Sequence, residues 1–477
     1  MTSAPTPAAA DHTTRLGTDP VGRLLWRACT QTTAAVGVYG IYALTNAWFV
    51  GRGVGDTAMA AVNLAAPLLL LLGAVSTTVG AGGASLISRA LGAGDHRTAA
   101  RAAGNSFALF WACATATTVL GLVFLDPLLT LLGATGELRA TARPYAAVLL
   151  CGALVSTGFS SLVRAEGRMG FSTLLWLVPV AVQITLDPLL IFGFGLGVRG
   201  AALGTVGGQA VSAAMSLWFF FLQARRPYRV GLRDLLPHGP TLRALLGVGL
   251  PSFLAGTGVT LLAVLVNATL AATGSATALA AYAVCARLQT FVMMPHTGIS
   301  QGLQPIVGYN TGRGLPGRAL KARDYALLAS LLYGLLTAAA LAALARPLAG
   351  VFLNDPGTVT AAAQALPVIA VGLTVAGIGP LVAAYAQSLG RPAPAYLISI
   401  GTLLLIKVPL IAVLGRLGTG GVWTALATGE VATAAVALLL MRRLRGAAGG
   451  LGERGRPRRL PGRPGRERQR GLPGGGR

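Results

Sequence analysis

Residues 57–88 read TAMAAVNLAAPLLLLLGAVSTTVGAGGASLIS, an unbroken stretch without a single charged side chain. A membrane-spanning helix needs about 20 mostly apolar residues. This stretch exceeds that length, so it reads as a helix that tilts or extends into water. Residues 327–345 are likewise free of charge. Working outward from these runs, and breaking at charges and Gly/Pro clusters, twelve candidate spans emerge. They lie near 28–50, 57–84, 103–125, 142–163, 170–194, 200–222, 245–271, 277–308, 325–345, 361–388, 394–415 and 421–441, and are numbered spans 1–12 below. Across 477 residues, hydrophobic side chains make up 54% and charged ones 11%. A soluble domain carries about 25% charged residues, so the chain is read as an all-α polytopic membrane protein and soluble-enzyme classes are excluded.

The formal net charge of +24 suggests nucleic acid at first sight, but its distribution argues otherwise. From Arg442 to Arg477 the chain holds 12 arginines among many glycines and prolines. That composition reads as a disordered basic tail beside an anionic membrane surface, and no nucleic-acid partner is expected. Elsewhere, 18 basic side chains fall on the side that holds both chain ends and six on the other, with Arg287 and Lys407 inside spans. By the positive-inside rule both termini are expected to be cytoplasmic, in a multi-pass protein of the cell membrane. Residues 1–22 contain no apolar core of a signal peptide, so none is expected. The four cysteines lie apart in apolar stretches and read as small buried hydrophobes.

The longest polar connection, Gln223–Leu242, falls at the midpoint and suggests two six-span halves. An internal repeat at an offset of about 220 supports this. Gly82 falls on Gly302, Gly92 on Gly312, Arg101 on Lys321, Asp187-Pro188 on Val408-Pro409, and Gly200 on Gly421. The expected architecture is therefore 12 transmembrane helices in two pseudo-symmetric six-helix lobes around a central cavity. Its parts are a cytoplasmic tail (1–24), a first lobe (25–222), a cytoplasmic connection (223–242), a second lobe (243–441) and the basic tail (442–477).

Catalytic and nucleotide motifs are missing. No GxxxxGK[ST], HExxH or GxSxG occurs, and the GxGxxG at 195–200 follows no strand and reads as an interhelical turn. No cofactor or metal is called for. The informative feature is the scarcity of charge within the spans. Only Asp187 and Glu430 among the acids lie well inside spans, and an ionised group at mid-bilayer costs about 2.5–3.5 kcal/mol on insertion scales. Asp187 precedes Pro188, which lacks an N–H and weakens the helix around the carbonyl of Ile184. A carboxyl beside freed carbonyls suits a cation or proton site; a protonated acid at a kink is the plainer reading. Glu430 and Lys407 are placed to pair across the last helix hairpin, either as a structural ion pair or with a role in cargo binding or coupling. Polar groups at depth, including Tyr39, Asn63, Gln209, Asn267, Gln289, Gln301, Gln304 and the cationic Arg287, form a candidate cavity lining. His296, after Pro295, reads as a hydrogen-bonded helix histidine.

Several segments together resemble the multidrug and toxic compound extrusion (MATE) family, over roughly residues 25–441. They are Asn46-Ala47-Trp48-Phe49-Val50-Gly51, Arg164-Ala165-Glu166-Gly167, Leu186-Asp187-Pro188 with Gly200-Ala201-Ala202, Gly249-Leu250-Pro251, and Gln301-Gly302 followed by Gln304-Pro305-Ile306-Val307-Gly308-Tyr309-Asn310. The likeness is nearest to the DinF-like prokaryotic branch. It implies a V-shaped pair of lobes. It also implies export of cationic or amphipathic small molecules by H⁺ or Na⁺ antiport, from a monomer. In that branch polar residues of spans 1, 5 and 6 form a cation site; Asn46, Gln183, Asp187 and Thr205 occupy those places here. Two depart from the pattern, because Asn46 stands for the usual aspartate and Gln183 for the usual asparagine. Asn46 cannot titrate, so coupling would rest on Asp187, with Glu430 as a further candidate. A flippase for lipid-linked precursors is the alternative, kept open by Arg287 and Lys407.

Overall fold

A computed structural model describes residues 7–155, 159–223, 226–273 and 275–454. All twelve runs form helices. Span 1 is Val21–Gly53 and span 2 Asp56–Gly92; span 3 is His96–Val123. Span 4 comes in parts, Gly136–Gly152 and Ser160–Ala165. Spans 5 and 6 are Met169–Gly193 and Gly197–Leu222. Spans 7, 8 and 9 are Gly239–Ala272, Ala276–Gly312 and Pro316–Ala343; spans 10 and 11 are Pro356–Ser388 and Pro392–Leu417. Span 12 lies within the helix Thr419–Arg454. Among the described residues eleven of these helices are long and apolar enough to cross a membrane, and large side chains such as Leu336 and Leu405 stand exposed on the outer surface, where lipid would cover them.

The repeat is visible as reciprocal contacts at the seam between lobes. A Cβ on Gly92 would overlap the carbonyl of Tyr309, and one on Gly312 the carbonyl of Arg89. Each pair maps onto the other under the offset of 220, which is what a pseudo-two-fold axis requires. Gly82 on Leu245 and Gly302 on Ala28 follow the same pattern with a shift of three residues, about one helical turn. Glycine is needed at these points because the backbones meet with no room for a side chain.

Packing differs between the two ends of the molecule. On the side of the chain ends one continuous core joins both lobes, running from Ile87, Phe107 and Leu162 to Leu303, Ile306 and Leu381. On the opposite side the core divides in two. One cluster, around Leu129 and Leu149, belongs to the first lobe, and another, around Leu288 and Leu366, to the second. Gly249 packs on the Thr78 carbonyl, yet Gly256, two turns further along the same face of span 7, has nothing within 4 Å. The lobes are thus sealed at the terminal side and parted at the other.

Three segments differ from the sequence reading. The N-terminal tail contains a helix, Pro7–Thr18. Its Leu16 is 1% exposed, and Thr13 Oγ1 donates to the Glu166 carbonyl at 2.9 Å. Asn310 Nδ2 in turn donates to the Leu16 carbonyl at 2.9 Å. The helix therefore touches both lobes at the sealed end. The basic tail begins as helix, since the last helix runs to Arg454, and residues 455–477 lie outside the described residues. Finally, the connection 223–242 is buried in part: Arg226, Tyr228 and Val230 are buried, whereas Leu232, Arg233 and Leu236 are exposed.

Candidate functional site

Span 5 ends its α-helical part at Asp187-Pro188 and widens into a π-helical turn, Leu189–Gly193. Such turns follow from a lost i→i−4 bond and recur at functional sites. Span 6 presents Gly200, Gly204 and Gly208 at intervals of four, one face of the helix, and this lets it lie directly on span 5. A Cβ at Gly204 would overlap Asp187 Oδ1, and one at Gly208 would press on the Pro179 carbonyl and Gln183. Asp187 is 1% exposed and its Oδ1 has no hydrogen-bond partner. Gln183 Nε2 donates to Thr205 Oγ1 at 2.8 Å, and Thr205 Oγ1 donates to the Ala201 carbonyl at 3.1 Å. Span 1 packs against span 5, and its Asn46 is 8% exposed with Oδ1 also unpartnered. A buried acceptor without a donor costs about 1–3 kcal/mol. Among the described residues the first lobe thus holds four buried oxygens without a partner, on Gln31, Asn46, Asp187 and Ser216, and Asp187 is the only carboxylate among them.

The equivalent helices of the second lobe are arranged differently. Lys407 Nζ donates to Glu430 Oε1 at 2.6 Å, with side chains 18% and 17% exposed. Lys407 ends a π-helical turn, Leu403–Lys407, and lies one residue from the position matching Asp187 under the offset of 221 that relates Gly200 to Gly421 and Gly208 to Gly429. His296 is 1% exposed, with Nδ1 2.8 Å from Ser330 Oγ, at the break in span 10 between Leu373 and Ile378.

The candidate lining residues do not form one surface. Asn63, Asn267 and Arg287 are exposed; Gln209, Gln289 and Gln304 are half-buried. Gln301 does not face a cavity, because its Oε1 accepts from Arg164 Nη2 at 2.9 Å across the sealed seam. The side chain of Tyr39 lies outside the described residues. Among the described residues no three or more of His, Cys, Asp and Glu converge on a metal site.

Sequence reasoning missed a buried ionic cluster at the terminal side. Glu166, fully buried, pairs with Arg226, and Tyr228 Oη donates to Glu166 Oε1 at 2.6 Å. The Arg226 guanidinium lies 4.4 Å from the Phe220 ring centroid. Burial opposes the Arg226 charge, but the Glu166 carboxylate outweighs it and holds the guanidinium pKa above its ordinary value. Burial likewise drives the Tyr228 phenol well up. The available signal was the aromatic run Trp218–Phe221 just ahead of Arg226, which offers a surface on which an arginine can stack.

Two repeated six-span lobes parted on one side are the architecture of a secondary transporter, and known proteins agree with it. The MatE family profile matches residues 35–189 and 251–413, one block in each lobe, and the chain belongs to this family of transporters. It is 29% identical over 413 residues to a multidrug export protein, MepA, of Staphylococcus aureus (strain MRSA252), covering 85% of this chain and 90% of that one. A MepA of Staphylococcus haemolyticus is 28% identical over 415 residues, with the same shares covered. Among solved structures, an outward-facing multidrug resistance MATE transporter of the MOP superfamily superposes with a TM-score of 0.86 at 24% identity. A Pyrococcus furiosus MOP superfamily transporter, described as having a binding pocket of reversed polarity, gives 0.86 at 25%. Each superposition covers 94% of this chain and 100% of the other.

Proposed function

We propose that the protein is a multidrug exporter of the cell membrane, working as a monomer with both termini in the cytoplasm. It expels amphipathic small molecules, organic cations among them, in exchange for H⁺ or Na⁺. The observation that carries the coupling is the pair of unpartnered buried oxygens, Asp187 Oδ1 and Asn46 Oδ1. Asn46 supplies a neutral acceptor and Asp187 the only carboxylate of the pair, so Asp187 is the group that gains and loses the ion. Loading it relieves an uncompensated buried charge and changes which packing of spans 1, 5 and 6 is preferred. Coupling follows if cargo prefers the opposite packing, since a ligand shifts a conformational equilibrium only by its differential affinity. One proton exchanged for one monovalent organic cation moves no net charge, so a pH gradient alone drives it, at about 1.4 kcal/mol per pH unit.

The relatives' names support the cargo class, and the parted side of the lobes supports alternating access. The test is efflux of a fluorescent organic cation from vesicles with pH and Na⁺ gradients imposed separately. One gradient should drive the wild type and neither should drive Asp187→Asn. Equal efflux by both proteins removes Asp187 from the mechanism.

A further inference from the structure

Arg287 plays no part in the coupling described above. It lies 11 residues into the 37-residue helix of span 8, about 16 Å along the axis from its cleft-side end at 1.5 Å per residue. Its side chain is exposed and has no hydrogen bond or ion pair with any described residue.

Helical phase fixes what it faces. Met294, Gly298 and Gly302 follow at intervals of seven, four and four, so all share one face of span 8. That face is the seam. A Cβ on Gly40 of span 1 would lie 3.0 Å from Met294 Cε, while Gly298 sits on Thr33 and Gly302 on Ala28. The opposite face, with Cys285, Leu288 and Val292, packs into the second lobe. Arg287 is therefore the outward continuation of the seam. Below it span 1 covers the stripe; at Arg287 the lobes have parted and the guanidinium faces the cleft.

Among the acids near the cleft side, Glu137 is exposed in the first turn of span 4, at the rim of the first lobe, and the others are otherwise placed. Asp126 is held by Arg139 and Arg143, Asp355 caps Thr358, and Glu430 is paired with Lys407. Asp187 is buried within the first lobe. Asp56 begins span 2, 11 residues from Pro67, the repeat equivalent of Arg287, so its backbone lies at the rim and not at this depth. When the cleft closes, as alternating access requires, an uncompensated guanidinium would be pressed between helices and away from water, where bare charge is costly.

We propose that Arg287 is the cleft's oxyanion-recognising group, and that the exporter also takes amphiphiles whose apolar body carries a carboxylate, sulfonate or phosphate. This rests on the exporter reading for its transport consequence, while the binding can be tested without transport. The planar fork of the guanidinium accepts such a head group through two parallel hydrogen bonds, and the bound anion supplies the charge that lets the cleft close. A cargo anion here and a coupling ion in the first lobe then occupy separate sites.

The experiment is equilibrium binding to the purified full chain in nanodiscs, by fluorescence anisotropy, with carboxyfluorescein as the anionic probe and rhodamine 6G as the cationic one. The wild type should bind both. Arg287→Gln should weaken carboxyfluorescein by about tenfold or more, the range of a lost charge-assisted hydrogen bond, and leave rhodamine 6G unchanged or tighter. Arg287→Lys should fall between, because it keeps the charge and loses the fork. As a second route that leaves the arginine in place, Ala283→Glu sets a carboxylate one turn away on an exposed position. It should weaken the anion and strengthen the cation. Wild-type affinity for carboxyfluorescein in Arg287→Gln and Ala283→Glu, or no anion binding by the wild type, overturns the proposal. Charge-selective binding with no gradient-driven transport of either dye supports Arg287 and counts instead against the exporter reading.

Discussion

Spans 5–6 and spans 11–12 descend from the same repeat, carry matching glycines, and treat charge in opposite ways. In the first lobe Asp187 is sealed with an oxygen unmatched. In the second, Lys407 supplies the cation that Glu430 needs, from its own lobe and at 2.6 Å. In the proposed mechanism the lysine keeps one site filled and the other is open to an exchanging ion. The two mid-span acids therefore differ in what they have at hand: Glu430 has a cation within its own lobe, and Asp187 Oδ1 has no partner.

The largest effect should come from breaking the filled site on one side only. Removing one partner of a fully buried pair costs about 3–5 kcal/mol. This pair is partly exposed, so Glu430→Gln should cost about 2–3 kcal/mol in thermal unfolding of the purified protein. Replacing both Lys407 and Glu430 with Met should restore most of that loss. Asp187→Asn should leave stability equal or higher, because it removes an uncompensated carboxylate. Comparable destabilisation by Glu430→Gln and Asp187→Asn would erase the contrast between lobes.

A smaller difference is expected at the paired glycines. The Cβ of Gly204→Ala meets Asp187 Oδ1 inside a closed contact, and such overpacking costs about 1–3 kcal/mol. The Cβ of Gly429→Ala would lie 3.2 Å from Lys407 Cγ, on a flexible stem that can give way, so a loss below about 1 kcal/mol is expected. Unfolding of the two variants side by side checks the order, and a reversed order would mean that the second lobe is the more tightly closed.

The twelve spans and their repeat were legible because both rest on signals that survive without tertiary information. Long apolar runs register by length, and Gly92 and Gly312 register because backbones in contact across the seam admit nothing larger. Asp187 stood out for the same kind of reason, as a lone charge in a stretch that should carry none. What remained hidden depended on partners far apart in sequence. The pairing of Glu166 with Arg226 spans 60 residues, and Arg226 reads as a loop base until Phe219 and Phe220 are seen beneath it. Residues 7–18 looked like a polar tail because so much of their burial comes from single contacts, such as Leu16 and Thr13, and not from a continuous apolar stripe. The likeness to known transporters named Asn46, Gln183 and Thr205; the folded packing distinguishes Gln183 and Thr205, which bond each other, from Asn46, whose Oδ1 stays open.

The most direct test of the central claim is infrared difference spectroscopy of the carboxyl C=O stretch, recorded on wild-type and Asp187→Asn protein in lipid as H⁺ and then Na⁺ is added. One carboxyl band should respond to the coupling ion in the wild type and be missing from the variant. The same difference spectrum in both proteins would show that the ion binds elsewhere.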